Sequence, residues 1–215
     1  MSEQTEVPAS GVKPEKETAR LEAFSDGVFA IAITLLALEL KVPHLESAGG
    51  SVTPASLAAG LAHQWPSYFA FLTSFFTVLV MWVHHHSIFR LVRRVDVTLL
   101  FANGFLLMLV TVVPFPTAVV AEYLRTPAAP AACALYSGIF VLIGIGFVVL
   151  LWAATRKAVV DPEASPANLH RLRKNYWMGP PLYLAATLAA PFSPWLAMGI
   201  CSALWIVWAV TTREC

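Results

Sequence analysis

Charge is scarce in this sequence. Only 13% of its 215 residues are Asp, Glu, Lys or Arg, against roughly 25% in an ordinary soluble domain, and 58% are apolar. A soluble chain of this size needs a polar surface that such a composition cannot supply, so a membrane protein is expected. Cysteine is nearly absent: Cys133, Cys201 and Cys215 are an odd number without metal-ligand spacing, and the first two lie in apolar runs, which excludes a disulfide framework. The formal net charge of +1 lacks the basic excess that nucleic-acid binding requires. No apolar stretch precedes a cleavage site near the N-terminus, so no signal peptide is expected. A Thr-Val-Gly-Tyr-Gly filter is missing; the nearest string, Gly144-Ile145-Gly146-Phe147, falls inside a long apolar run. That run also lacks an arginine at every third position, so neither a carbonyl filter nor an ordinary voltage sensor is expected.

What the chain does have is long apolar segments. A hydrocarbon layer about 30 Å thick requires about 20 mostly apolar residues per helix. Six segments qualify: Leu21–Leu40, Trp65–Phe89, Val97–Val120, Ala131–Thr155, Tyr176–Ala190 and Trp195–Thr212, the fifth short and broken by Pro180 and Pro181. The expected fold is an all-α integral membrane protein with six transmembrane helices. Residues 1–17 read as a disordered cytosolic tail, and 18–215 as one six-helix unit.

Lysine and arginine supply the orientation. Six spans put twelve of the 14 basic residues on one side, among them Lys13, Lys16, Arg20, Arg90, Arg93, Arg94, Arg156, Arg171 and Arg213, and only Lys41 and Arg125 on the other. Both termini are therefore expected to be cytoplasmic. The segment from Lys41 to His63, with Gly49-Gly50-Ser51 and Pro54, reads as a flexible external connection, and Asp161 to Asn168 as its cytoplasmic counterpart.

The first span carries the most chemistry. Asp26 lies more than one helical turn inside an apolar run, where a carboxylate costs roughly 2.5–3.5 kcal/mol at mid-helix on insertion scales, so it should face protein or water and have a partner. Arg20 and Ser25 add hydrogen-bonding capacity nearby, as in a buried polar network. At 100° per residue, Phe24, Gly27, Ile31, Thr34, Leu35 and Leu38 fall on one stripe, with Asp26 about 140° away from Ile31. Periodicity alone assigns that stripe to helix packing or lipid contact and does not make a pore.

Trp82, His84, His85, His86 and Phe89 occupy the end of the second span. Adjacent histidines lie 100° apart on a helix, so at most one or two point into the bundle, and the residues leave open which. A metal or haem site would need a second pair on another helix, and His63 and His170 do not provide one. The expectation is one histidine bonded to a carboxylate of the first span, with Asp26 at matching depth.

Arg20-x-x-x-Phe24-Ser25-Asp26 resembles the first-helix signature of the transmembrane-protein-175 family of lysosomal and bacterial potassium channels. Trp82-x-x-His85-x-x-x-Phe89 resembles its second-helix pattern, and Asn103 followed by Pro114-Phe115-Pro116 its third. The match covers the first three spans. It implies a bacterial single-unit member forming a homotetramer, in which the first helices line a potassium-permeable pore with weak preference for potassium over sodium. Carried over by position, the constriction falls on Ile31, with Leu35 and Leu38 further out and Thr34 as a polar ring. Arg20, Phe24, Ser25, Asp26, Trp82, His85 and Asn103 would form the structural network. The resemblance further implies that the protein is not an enzyme, that it carries no cofactor besides the permeant potassium ion, and that it is a multi-pass protein of the bacterial plasma membrane. The alternative is a small secondary transporter using Asp26 as a proton or ion relay, with Pro180-Pro181 as a broken helix. A redox enzyme using the histidines is the weaker competitor.

Overall fold

A computed structural model describes residues 14–44, 52–157, 159–161 and 166–211. The described residues are helical almost throughout: α1 (Pro14–Leu36, extended by a 3-10 turn at Ala37–Glu39), α2 (Pro54–His63), α3 (Trp65–Phe89), α4 (Val97–Val112), α5 (Pro114–Tyr123), α6 (Ala129–Ala154), α7 (Pro166–Ala189) and α8 (Pro194–Thr211). Four stretches are long and apolar enough to cross a membrane: 17–39, 65–89, 97–123 and 129–154. The apolar part of α8 is shorter.

Several sequence expectations need correcting. Residues 1–13 of the expected tail lie outside the described residues, but 14–17 already belong to α1. The external connection contains α2, a helix nucleated by a capping box in which the Thr53 side chain accepts from Ser56 N and the Ser56 side chain from Thr53 N; residues 45–51 lie outside the described set. The third segment is two helices. Pro114 has no N–H to offer Val110, so the amide of Val113 turns back to that carbonyl at 3.1 Å and the chain restarts at α5. Of the cytoplasmic counterpart, residues 162–165 lie outside the described set and α7 already begins at Pro166.

The expected break at Pro180 and Pro181 is absent: α7 runs through both. The reason lies in the neighbouring helix. Each proline removes a backbone bond and crowds the preceding turn, yet packing on an adjacent helix offsets this. A Cβ on Gly144 would sit 3.2 Å from the ring carbons and nitrogen of Pro180, so the glycine is what lets α7 approach α6 at its prolines. Gly146 plays the same part toward α4, where a Cβ would lie 3.1 Å from Leu106 Cδ1. Gly144 and Gly146 of the fourth apolar run therefore serve helix packing.

α6 is the central helix. Tyr136, Phe140, Ile143, Phe147 and Leu150 are buried along it, and it packs against α4, α5, α7 and α8, while α1 packs against α3, α4 and α5. At the boundary rich in arginine, Asp96 caps α4 through Leu99 N (2.8 Å) and pairs with Arg156. Asp161 N donates to Leu91 O at 2.8 Å and Arg93 N to Val159 O at 2.9 Å, which straps the two loops together.

Gly144→Val should lower the unfolding midpoint in detergent, by about 1–3 kcal/mol of overpacking, because Pro180 is rigid. Gly138→Ala, where nothing lies within 4 Å, should be neutral or slightly stabilising. Equal midpoints for Gly144→Val and wild type would mean that α7 does not depend on this approach.

Candidate functional site

The polar residues of α1, α3 and α4 meet in one chain of hydrogen bonds. His85 Nε2 lies 2.8 Å from Asn103 Oδ1, Asn103 Nδ2 donates to Ser25 Oγ at 2.9 Å, and Ser25 Oγ donates to Leu21 O at 2.8 Å. All three side chains are buried. The hydrogens fix the direction: the single hydroxyl proton of Ser25 is used on Leu21, so Ser25 accepts from the Asn103 amide, whose oxygen then faces His85 and takes the Nε2 proton. His85 Nε2 thereby carries a proton, and its Nδ1 is buried without a partner among the described residues. Its ring stacks on Phe89 at 4.4 Å between centroids and lies 5.3 Å from Phe29. Three helices are joined without a carboxylate, lysine or arginine side chain.

The carboxylates of α1 take other partners than the spacing suggested. Asp26 accepts from Trp82 Nε1 at 2.8 Å, and Glu22 meets His86 Nδ1 at 2.6 Å. A histidine does bond a carboxylate of the first span, but it is His86 with Glu22, and neither His85 nor Arg20 bonds Asp26. The reason is rotational: α3 offers Trp82 and His86, one turn apart and stacked at 6.3 Å, to Glu22 and Asp26, also four residues apart on α1. Arg20 is exposed and has no hydrogen bond or ion pair among the described residues. His84, expected at the interface, instead faces the bundle on another side, with Nδ1 3.0 Å from Tyr176 Oη and its ring edge-on to Trp208.

A second polar cluster, unmarked in the sequence reading, ties α3, α5 and α6. Ser74 Oγ lies 2.7 Å from Thr117 Oγ1 and 3.0 Å from Tyr136 Oη, all buried. The signal available was hydroxyls inside apolar runs, but nothing in their spacing identifies mutual partners. Cys133 and Cys201 are buried free thiols, and no cluster of three metal-ligating side chains occurs among the described residues.

Those contacts divide α1 into two faces. Ser25, Phe29, Ala32 and Leu36 are buried. Phe24, Ile31, Leu35 and Leu38 are exposed large apolar residues, Ile31 by 59% and Leu38 by 73%, and Gly27 and Thr34 are exposed between them. Only 22% of this span is buried, against 44% in each of the other three. The Thr34 hydroxyl donates to Ile31 O at 2.9 Å, so its one proton turns toward the backbone and its oxygen lone pairs remain unused.

A family model described as endosomal/lysosomal potassium channel TMEM175 matches residues 20–114. A potassium channel of Chamaesiphon minutus is 50% identical over 201 residues, which is 93% of this chain and 97% of that protein. One of Streptomyces collinus is 47% identical over 161 residues, 73% of this chain and 75% of that protein. The crystal structure of a lysosomal potassium-selective channel TMEM175 homolog from Chamaesiphon minutus superposes with a TM-score of 0.82 at 48% identity, covering 92% of this chain and 98% of that one.

Asn103→Leu should cost about 1–3 kcal/mol, because it leaves the His85 N–H buried and unpaired. His86→Gln, in an exposed pair, should change stability by no more than about 1 kcal/mol. Chemical unfolding of both variants in one detergent checks the order, and a larger loss at His86 would reverse the ranking of the two contacts.

Proposed function

The chain belongs to the TMEM175 family of potassium channels, and from that premise we propose that four copies surround a common axis with α1 of each lining a potassium-permeable pore. The relatives are channels, and the protein is not an enzyme. The reading includes six spans with both termini on the cytoplasmic side of a bacterial plasma membrane.

One observation carries the proposal: α1 buries one face in its own protomer and leaves the stripe from Phe24 through Gly27, Ile31 and Thr34 to Leu38 uncovered. In a tetramer that stripe is what the axis would receive. Ile31 then forms the constriction, with Leu35 and Leu38 beyond it, and conduction requires wetting an apolar ring. Such a ring offers a cation no ligands. Thr34 does, because the proton it gives to Ile31 leaves its oxygen lone pairs facing outward. The helix-internal bond and a ligand role are compatible, which supports a weak preference for potassium over sodium.

Asp26 favours the channel over a transporter. Its carboxylate accepts from the indole N–H of Trp82, a donor that does not exchange roles with an acceptor, which supports a contact that holds α1 over a step in a proton relay.

Ile31→Asn should raise unitary conductance in planar bilayers, by about tenfold for each 1.4 kcal/mol taken off the barrier. An unchanged current from a normally assembled protein would move the constriction elsewhere. Thr34→Val keeps shape while deleting the oxygen, and should shift the potassium/sodium bi-ionic reversal potential toward zero. An unaltered reversal potential would return Thr34 to a structural role.

A further inference from the structure

A second feature lies on helices that α1 does not pack against. α1 packs on α3, α4 and α5, whereas a groove of about 450 Å³ opens between α6 and α7 near the end of α6. That volume lies within the roughly 300–1,000 Å³ of ligand sites. Its wall combines apolar Val148 and Val149 with Trp152, Tyr176 and Trp177, and Arg173 lines it as well. Trp152 and Trp177 are 56% and 66% exposed, as large amphipathic rings are at a membrane boundary.

The cation is the informative part. Arg156, on the same boundary, is neutralised by Asp96 while lying over the Trp152 ring. Among the described residues Arg173 donates to a neutral acceptor, Thr155 Oγ1 at 3.2 Å, and pairs with no carboxylate. A guanidinium with unused donors, next to two boundary tryptophans and an apolar channel, matches a phosphate joined to hydrocarbon chains. A free anion would use the first element and leave the others without purpose.

We infer that the α6–α7 groove binds one anionic phospholipid, its phosphate on Arg173 and an acyl chain along Val148 and Val149 between Trp152 and Trp177. The site is separate from the α1 stripe and does not depend on the pore reading.

Native mass spectrometry of the purified protein in detergent, exposed to phosphatidylglycerol or phosphatidylcholine of equal chain length, tests this. Wild type should retain phosphatidylglycerol preferentially, and Arg173→Gln should weaken retention about fivefold, the factor for about 1 kcal/mol per surface cation. Lys157→Gln makes the same charge change outside the groove and should have little effect. Equal losses in the two variants would reduce the effect to general surface potential and overturn the site. Displacement of the lipid by inorganic phosphate would overturn the lipid in favour of an anion site. Equal retention of both lipids by wild type would overturn it outright.

Discussion

The rotation of α1 about its own axis is the constraint on which everything functional here depends, and it is held by the bonds from His85 through Asn103 to Ser25. Those side chains are buried, so leaving any of them unpaired is costly, and each donor has one acceptor in the observed direction. Turning α1 by one residue would move Ser25 about 100° and break the chain. Asp26 with Trp82 and Glu22 with His86 add two contacts on one flank. With the rotation set, Phe29, Ala32 and Leu36 go into the protomer, and the stripe containing Ile31 and Thr34 is left outside it.

The remaining helices form a scaffold around α6, and their close approaches occur where side chains are missing. Gly144 admits the Pro180 ring of α7 and Gly146 admits α4. Ser74, Thr117 and Tyr136 join α3, α5 and α6. Of the four stretches long and apolar enough to cross a membrane, α1 is the least covered.

The positions of the apolar runs, the two faces of α1 and the separation of Asp26 from Ile31 were legible in the sequence, because all follow from composition and a 3.6-residue period. Pairings between helices were not. Trp82, His85 and Asn103 stood out as residues, yet their partners depend on how α3 and α4 are rotated against α1, and spacing within one helix carries no information on that. The same limit hid the role of Gly144, whose neighbour is 36 residues away and reverses the expectation of a break at Pro180. At Pro114 a single missing N–H interrupts the helix, and residues 97–123 still form one stretch long enough to cross a membrane. The helix at Pro54–His63 was signalled by Thr53 and Pro54 but lay in a stretch whose glycines suggested a flexible connection.

The central claim is that the uncovered face of α1 lines the conduction path. Single cysteines along this helix in a Cys215→Ser background, tested for block of potassium current by a water-soluble thiol reagent, address it most directly, since Cys133 and Cys201 are buried. Current carried through a pore on this stripe should be blocked at Gly27, Ile31, Thr34 and Leu38 and spared at Ser25, Phe29, Ala32 and Leu36. Block that follows the second set, or potassium current untouched at every position of the first, would contradict it.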